Sequence, residues 1–154
     1  MTAILFVCLG NICRSPLAEG LFRHQAHKAG MDHLFEIDSA GCGGWHAGDA
    51  PDKRAVAAAA RHGVVIHDQR ARQVRLEDFD HFDLILGLDR DNVTHLKAMR
   101  PEGAKARVGL YLEEALGTAK DVPDPYYGTP RDFEAVFALC EKAGASLLKR
   151  LVSA

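Results

Sequence analysis

The sequence predicts an α/β fold with a parallel sheet. Strand-like and helix-like patterns alternate along the 154 residues, the arrangement that βαβ units produce. The first apolar run, Ala3-Ile4-Leu5-Phe6-Val7, leads through a tight loop directly into an amphipathic helix. In such open sheets, ligands bind at the carboxyl ends of the strands. Cys8, Ser39 and Leu88-Asp89 each follow a strand-like run, so the topology gathers them on one rim.

The elements follow in order. After the strand at 3–7, Ser15-Pro16 opens a helix whose apolar face is marked by Leu17, Leu21, Phe22 and Ala26. Phe35-Glu36-Ile37-Asp38-Ser39 reads as a short second strand. Pro51 starts an Ala-rich helix (Ala55 to Ala60) that Gly63 stops, Pro being favoured just inside a helix start and Gly just past its end. Phe82-Asp83-Leu84-Ile85-Leu86, ended by Gly87, is the strongest strand signal. Val93, Leu96 and Met99 mark a further helix closed by Arg100-Pro101, and Ala106 to Leu110 a last strand. Phe133, Val136, Phe137, Cys140, Leu147, Leu148 and Leu151 form the stripe of a long C-terminal helix.

Chemistry concentrates in the first loop, Cys8-Leu9-Gly10-Asn11-Ile12-Cys13-Arg14-Ser15. The Cys-to-Arg spacing is a weak signal by itself; the strand before it and the helix start after it sharpen it. Gly10 tolerates any backbone conformation, and Asn11 is the residue type best able to take positive φ without being Gly. A loop curled this way points its N–H groups at one spot over a helix N-terminus, where an anion is favoured. Arg14 adds a planar fork matched to two phosphate oxygens. Cys8 lies beneath, in the electropositive kind of setting that turns a thiol into a thiolate. The Gly-Lys-Ser/Thr ending of a nucleotide-binding loop is missing.

A proton donor for a leaving oxygen is sought in Val122-Pro123-Asp124-Pro125-Tyr126-Tyr127-Gly128. Two prolines stiffen the segment and hold Asp124 extended, and two aromatic rings stand ready to flank a flat substrate. A turn with an exposed Asp and two packing tyrosines is the other reading of the same residues.

The remaining composition excludes more than it selects. A formal net charge of -2 offers no polybasic reason for nucleic acid or a membrane surface. No apolar run approaches membrane-spanning length and Met1-Thr2 leads straight into a strand, so a cytoplasmic protein is expected. Cys8, Cys13, Cys42 and Cys140 show neither paired zinc spacing nor a secreted disulfide framework. Cys140 falls on an apolar stripe as a core thiol, whereas Cys13 shares the loop with Cys8 and is a candidate for a reversible Cys8–Cys13 bond. His24 and His27, at i and i+3 on a helix, are weighed as a metal pair and set aside, lone histidines being mostly surface or core residues.

These motifs together resemble the low-molecular-weight protein tyrosine phosphatases. FVCLGNICRSPLAE at the N-terminus, DSAG at 38–41, LD..N at 88–92 and DPYYG at 124–128 match that family in order and spacing over nearly the whole chain. The resemblance implies one domain over residues 1–154, with a flavodoxin-like fold. That fold is a three-layer sandwich of a four-stranded parallel sheet with helices on both faces, carrying no metal and no organic cofactor.

By the same resemblance Cys8 corresponds to the nucleophile, Arg14 to the phosphate-binding arginine and Asp124 to the general acid. Ser15 corresponds to the serine that donates to the thiolate, its alternative reading being a helix N-cap. Asn11, Ser39 and His67 correspond to residues bracing the loop. Asp89 resembles an acid orienting the arginine, or else it caps the next helix. Trp45, Tyr126 and Tyr127 correspond to cleft walls. Ile12 stands where a related arginine-phosphate phosphatase group carries Thr, which favours phosphotyrosine.

The implied partners are phosphotyrosine proteins, with inorganic phosphate as product. Such phosphatases often accompany tyrosine kinases in bacteria, which makes a bacterial tyrosine kinase a candidate partner. A monomer is expected. A working pair of ionised Cys8 and protonated Asp124 predicts a bell-shaped pH–rate profile on the acidic side of neutral.

Two rivals are weighed. An arsenate reductase on this fold needs relay cysteines after the third strand, and Leu86-Gly87-Leu88-Asp89-Arg90 has none. A module that merely binds phosphate needs neither Cys8 nor Asp124.

Overall fold

The computed structural model describes residues 1–153. The elements are β1 (Thr2–Cys8), α1 (Arg14–Lys28), a 3-10 turn at Asp32–Leu34, β2 (Phe35–Gly41), α2 (Lys53–Arg61), α3 (Asp78–His81), β3 (Leu84–Gly87), α4 (Arg90–Met99), β4 (Arg107–Leu110), α5 (Tyr111–Leu116) and α6 (Pro130–Ser153). The strands form one parallel sheet in the order β2-β1-β3-β4. The central β1 is apolar on both faces because both are covered. Ile4, Phe6 and Cys8 enter one core, packed with Leu17 and Phe22 of α1 and Phe137 of α6. Ala3, Leu5 and Val7 enter the other, with Phe79 of α3 and Leu96 of α4. This is the flavodoxin-like sandwich.

The strand order sets the position of the site. From β1 the chain crosses to β2 on one side, then returns past β1 to β3 on the other. The connections leaving β1 and β3 therefore diverge and open a crevice at their carboxyl ends, the usual ligand position in open sheets. Register places Cys8 opposite Gly41, and Val7 opposite Gly87. Gly41 has to be a glycine: a Cβ there would stand 3.0 Å from the Gly10 carbonyl carbon and 2.9 Å from the Gly43 oxygen.

Element boundaries shift from the expected ones for local reasons. The third strand starts at Leu84 because Phe82 closes α3, its N–H donating to the Asp78 carbonyl at 3.0 Å. Helix α1 begins at Arg14, one residue before Ser15-Pro16. Pro16 sits in the first turn, where a missing N–H is no loss. Gly63, at φ 77°, ends α2 in the left-handed conformation. The 3-10 turn, α3 and α5 escaped the periodicity because they are too short to show one.

One core residue carries a stability prediction. Tyr111 is fully buried, edge-on to Phe6 at 5.2 Å between ring centroids, and its hydroxyl has no hydrogen-bond partner among the described residues. A sealed hydroxyl without a partner is destabilising, so Tyr111→Phe should raise unfolding stability by about 1 kcal/mol. Urea denaturation checks this, and a lower midpoint for the variant would contradict it.

Candidate active site

The loop from Cys8 to Arg14 owes its shape to where its carbonyls go. The Cys8, Leu9 and Ile12 carbonyls accept from the N–H groups of Cys42 (2.9 Å), Gly43 (3.0 Å) and Asp52 (2.8 Å). With these oxygens turned outward, the N–H groups of Leu9 through Ser15 find no protein acceptor among the described residues. Buried donors are rarely left unpaired. A run of them, ending at the N-terminus of α1, is a cradle for an anion.

Asn11 holds this curl at φ 60°. Its Oδ1 accepts the Arg72 backbone N–H at 3.0 Å, so its amide hydrogens point the other way, to Ser15 Oγ (2.8 Å) and Ser39 Oγ (3.0 Å). Each serine oxygen thus receives one hydrogen and has one of its own to give. Ser39 gives its hydrogen to Glu19 Oε1 at 2.7 Å, and Ser15 is left facing Cys8 Sγ at 3.0 Å. The bonding direction therefore favours a sulfur that accepts.

Every member of this network except the sulfur's open side is shut off from solvent. Asn11, Ser15, Ser39 and Glu19 are all buried. Burial holds the Glu19 carboxyl above its ordinary value, although Ser39 and Arg23 donate to it and pull it down. Asn11→Asp should be severe: the carboxylate has no hydrogen for either serine and draws the Ser15 hydroxyl away from Cys8. We expect activity to fall at least about tenfold and stability by about 3 kcal/mol. Steady-state kinetics and urea melts of the variant measure both.

Arg14 is 3% exposed. Its Nη1 donates to Asp89 Oδ2 (2.7 Å) and the Val122 carbonyl (2.9 Å). Nε and Nη2 make no protein hydrogen bond among the described residues, and Nη2 lies 3.9 Å from Asp124 Oδ2. Burial works against the charge, but Cys8, Asp89 and Asp124 outweigh it and hold the guanidinium more firmly protonated than usual. Asp89 satisfies both sequence readings at once. Its Oδ1 caps α4 through the Asn92 N–H at 2.7 Å, in a reciprocal capping box, while its Oδ2 holds Arg14.

Above the sulfur lies a cleft of about 250 Å³. Cys8, Cys13 and Arg14 form its base, Leu9, Gly10 and Ile12 its loop side, and Asp124 its rim. Trp45 (72% exposed), Tyr126 (39%) and Tyr127 (96%) wall it. The two tyrosine rings meet edge to face at 4.9 Å. All four cysteines are free thiols. Burial, followed by Asp52, Cys8 and Asp124, pushes the Cys13 thiol far up. Burial raises Cys42 to about 11 and Cys140 to about 12, the latter at the centre of α6. No cluster of three or more His, Cys, Asp or Glu side chains suited to a metal occurs among the described residues.

The profile of the family described as "Low molecular weight phosphotyrosine protein phosphatase" matches residues 3–154. The chain belongs to that family. It is 39% identical over 152 residues to the low molecular weight phosphotyrosine protein phosphatase of Saccharomyces cerevisiae, covering 96% of this chain and 94% of the yeast protein. It is 43% identical over 149 residues to a Streptomyces coelicolor low molecular weight protein-tyrosine-phosphatase, covering 94% and 90%. Among solved structures, a protein tyrosine phosphatase from Entamoeba histolytica superposes with a TM-score of 0.93 at 33% identity, covering 99% and 98%.

Within this phosphatase one expected loop support does not reach the loop. His67 is exposed and its ring makes no hydrogen bond among the described residues. Its neighbour Ile66 is turned into the core at 1% exposure, which sends the next side chain outward. From the same segment it is Gln69 that reaches inward, to the Pro16 carbonyl at 3.1 Å, and the Arg72 backbone that holds Asn11. Arg72 is itself locked between Asp38 (3.1 Å) and Asp78 (3.0 Å).

Glu19, Arg72, Gln69 and His46 do not stand out in the sequence. Glu19 leaves a trace, a lone carboxylate between Leu17-Ala18 and Leu21-Phe22 on a helix that is buried there on every side. His46 lines the cleft, with its ring against Gly10 and its Nδ1 3.3 Å from Asp49. No sequence signal separates it from the other histidines.

Proposed function

We propose that this chain hydrolyses phosphotyrosine in proteins, and small aryl phosphates, through a phosphocysteine intermediate on Cys8. The observation carrying the reading is the Cys8 sulfur lying at the base of a ring of unpartnered N–H groups, with the free edge of Arg14 beside it. The phosphate's oxygens take those donors, which orients phosphorus over Sγ. The thiolate attacks in line, the S–P bond forms, and the bond to the phenol oxygen breaks. Fixed donors aimed at the oxygens where charge spreads supply the largest catalytic effect.

Asp124, at the rim, gives its proton to the departing oxygen and then takes one from the water that cleaves the S–P bond, releasing inorganic phosphate. The Ser15 hydroxyl, with its hydrogen directed to Sγ by Asn11, stabilises the thiolate as attacking and as leaving group. Trp45, Tyr126 and Tyr127 raise the cleft walls so that a flat aryl ester reaches the sulfur, while a short serine ester falls short. Ile12 makes the entrance apolar, which suits a phenyl ring. No step needs a metal. We place the enzyme in the cytoplasm as a monomer, with phosphotyrosine proteins, in a bacterial cell including a tyrosine kinase, as its substrates.

The test is phosphate release from a phosphotyrosyl peptide and from p-nitrophenyl phosphate in EDTA. Reductant is included because Cys13 shares the loop with Cys8. Turnover that EDTA leaves unchanged, with a phosphoseryl peptide untouched, is expected. A reduced protein that turns over neither aryl substrate would sink the reading.

A further inference from the structure

We infer that Arg54, on the first turn of α2, is a positioning residue for Asp124 and aims its proton through the backbone of Tyr126. The inference rests on the proposed role of Asp124 as proton donor. The segment carrying that acid is anchored upstream, where the Val122 N–H donates to the Leu88 carbonyl (2.8 Å) and its carbonyl accepts from Arg14. Downstream, Thr129 is tied to Asp132 at the start of α6 by its N–H at 2.7 Å. Between these anchors, residues 123–128 receive hydrogen bonds from outside the segment only from Arg54, among the described residues. Its Nη2 donates to the Tyr126 carbonyl at 2.9 Å, and its Nη1 to the Gly128 carbonyl at 3.3 Å.

Arg54 is itself rigidly held. Asp52 takes it side-on, Nε to Oδ1 and Nη2 to Oδ2, both at 3.0 Å. Its guanidinium carbon lies 4.5 Å from the Phe133 ring centroid and 5.8 Å from that of Tyr126. Asp52 also donates its N–H to the Ile12 carbonyl at 2.8 Å. A continuous connection thus runs from the phosphate loop through Asp52 and Arg54 to Tyr126.

Tyr126 passes this alignment to the acid. Its carbonyl is in the grip of Arg54, and its N–H donates to Asp124 Oδ1 at 3.1 Å. An oxygen already accepting a hydrogen is the poorer site for a proton, so the proton sits on Oδ2. That is the oxygen 3.9 Å from Arg14 Nη2, on the cleft side. The side chain of Asp124 is otherwise 45% exposed, free to rotate away. Only a planar guanidinium can pair side-on with Asp52 and still reach two carbonyls; a lysine ammonium cannot.

A structural pin alone would lower activity equally for every substrate. A residue that aims a proton matters only where the leaving oxygen needs one. The experiment is kcat/KM of reduced parent, Asp124→Ala, Arg54→Met, Arg54→Lys and the Arg54→Met/Asp124→Ala double variant. Each is measured on phenyl phosphate and on 2,4-dinitrophenyl phosphate, whose phenolate departs unprotonated. Arg54→Met and Arg54→Lys should each lose about tenfold on phenyl phosphate and less than about twofold on the dinitrophenyl ester. In the Asp124→Ala background, Arg54→Met should cost less than a further twofold, roughly, on either substrate, since the group it positions is gone.

Equal losses on both esters, no loss, or a full additional loss in the double variant would overturn the role of Arg54, provided that Asp124→Ala shows its own leaving-group dependence. An Asp124→Ala without that dependence overturns the acid assignment, and the positioning role with it. Should Arg54→Met fail to fold, Arg54→Lys carries the same comparison with charge and stem retained.

Discussion

Cys8→Ser is expected to abolish turnover while leaving the fold and the anion site standing. The exchange replaces one small, 3%-exposed side chain by another, and Ser15 Oγ remains as a hydrogen-bond partner. Stability should change by no more than about 1 kcal/mol. The chemistry has no such tolerance: a serine hydroxyl here has no adjacent base to ionise it, because the neighbouring Ser15 hydroxyl is itself neutral and only weakly basic. The loss in kcat should be at least about 10⁴-fold, as for other removed nucleophiles. Anion binding belongs to the loop N–H groups and Arg14, so phosphate should still protect the variant against thermal unfolding, by about 2.7 kcal/mol at a hundred times Kd. Residual turnover near the parent's would remove Cys8 from the mechanism. Loss of phosphate protection would remove the loop from binding.

How far the sequence leads depends on how local each determinant is. The loop is legible because its parts are contiguous: a strand, a Gly and an Asn for the bend, an Arg at the helix start. The sheet is legible from strand–helix alternation, and its parallel order puts Cys8 and Asp89 on one rim. Asp89 is legible as two rival readings, and the structure shows that one side chain serves both because a carboxylate has two oxygens.

The supports that come from distant chain segments are harder to read. Asn11 is expected as a loop brace, but its third bond goes to the backbone of Arg72, 61 positions away. Backbone partners leave no residue-type signature. The resemblance places a bracing histidine at His67, whereas the segment's alternation about buried Ile66 turns that position outward and gives the inward contact to Gln69. Arg54 is invisible in the sequence for the same reason: its partners are the carbonyls of Tyr126 and Gly128.

Arg14→Lys should separate charge from geometry at the phosphate site. A lysine keeps the positive charge, so a site that needed only charge would lose little. Arg14 does two tasks on different edges of one plane: Nη1 is committed to Asp89 and the Val122 carbonyl, while Nη2, 3.9 Å from Asp124 Oδ2 at the cleft, makes no protein hydrogen bond among the described residues. A single ammonium must choose. Asp89 Oδ2, 2.7 Å from the present nitrogen and largely shielded, is the nearer and permanent partner, so the lysine should be held there with phosphate left unforked. Folding should survive and kcat/KM should fall by about 10³-fold, the scale of losing a fixed donor to transition-state charge. Arg14→Ala should instead cost about 3 kcal/mol of stability as well, since it strands the Asp89 charge and the Val122 carbonyl. Placing Asp89→Asn beside Arg14→Lys discriminates the cause. If the carboxylate captures the lysine, removing its charge should release the ammonium toward phosphate and restore part of the lost activity. If Arg14→Lys alone stays within about tenfold of the parent, planar recognition is not what Arg14 contributes.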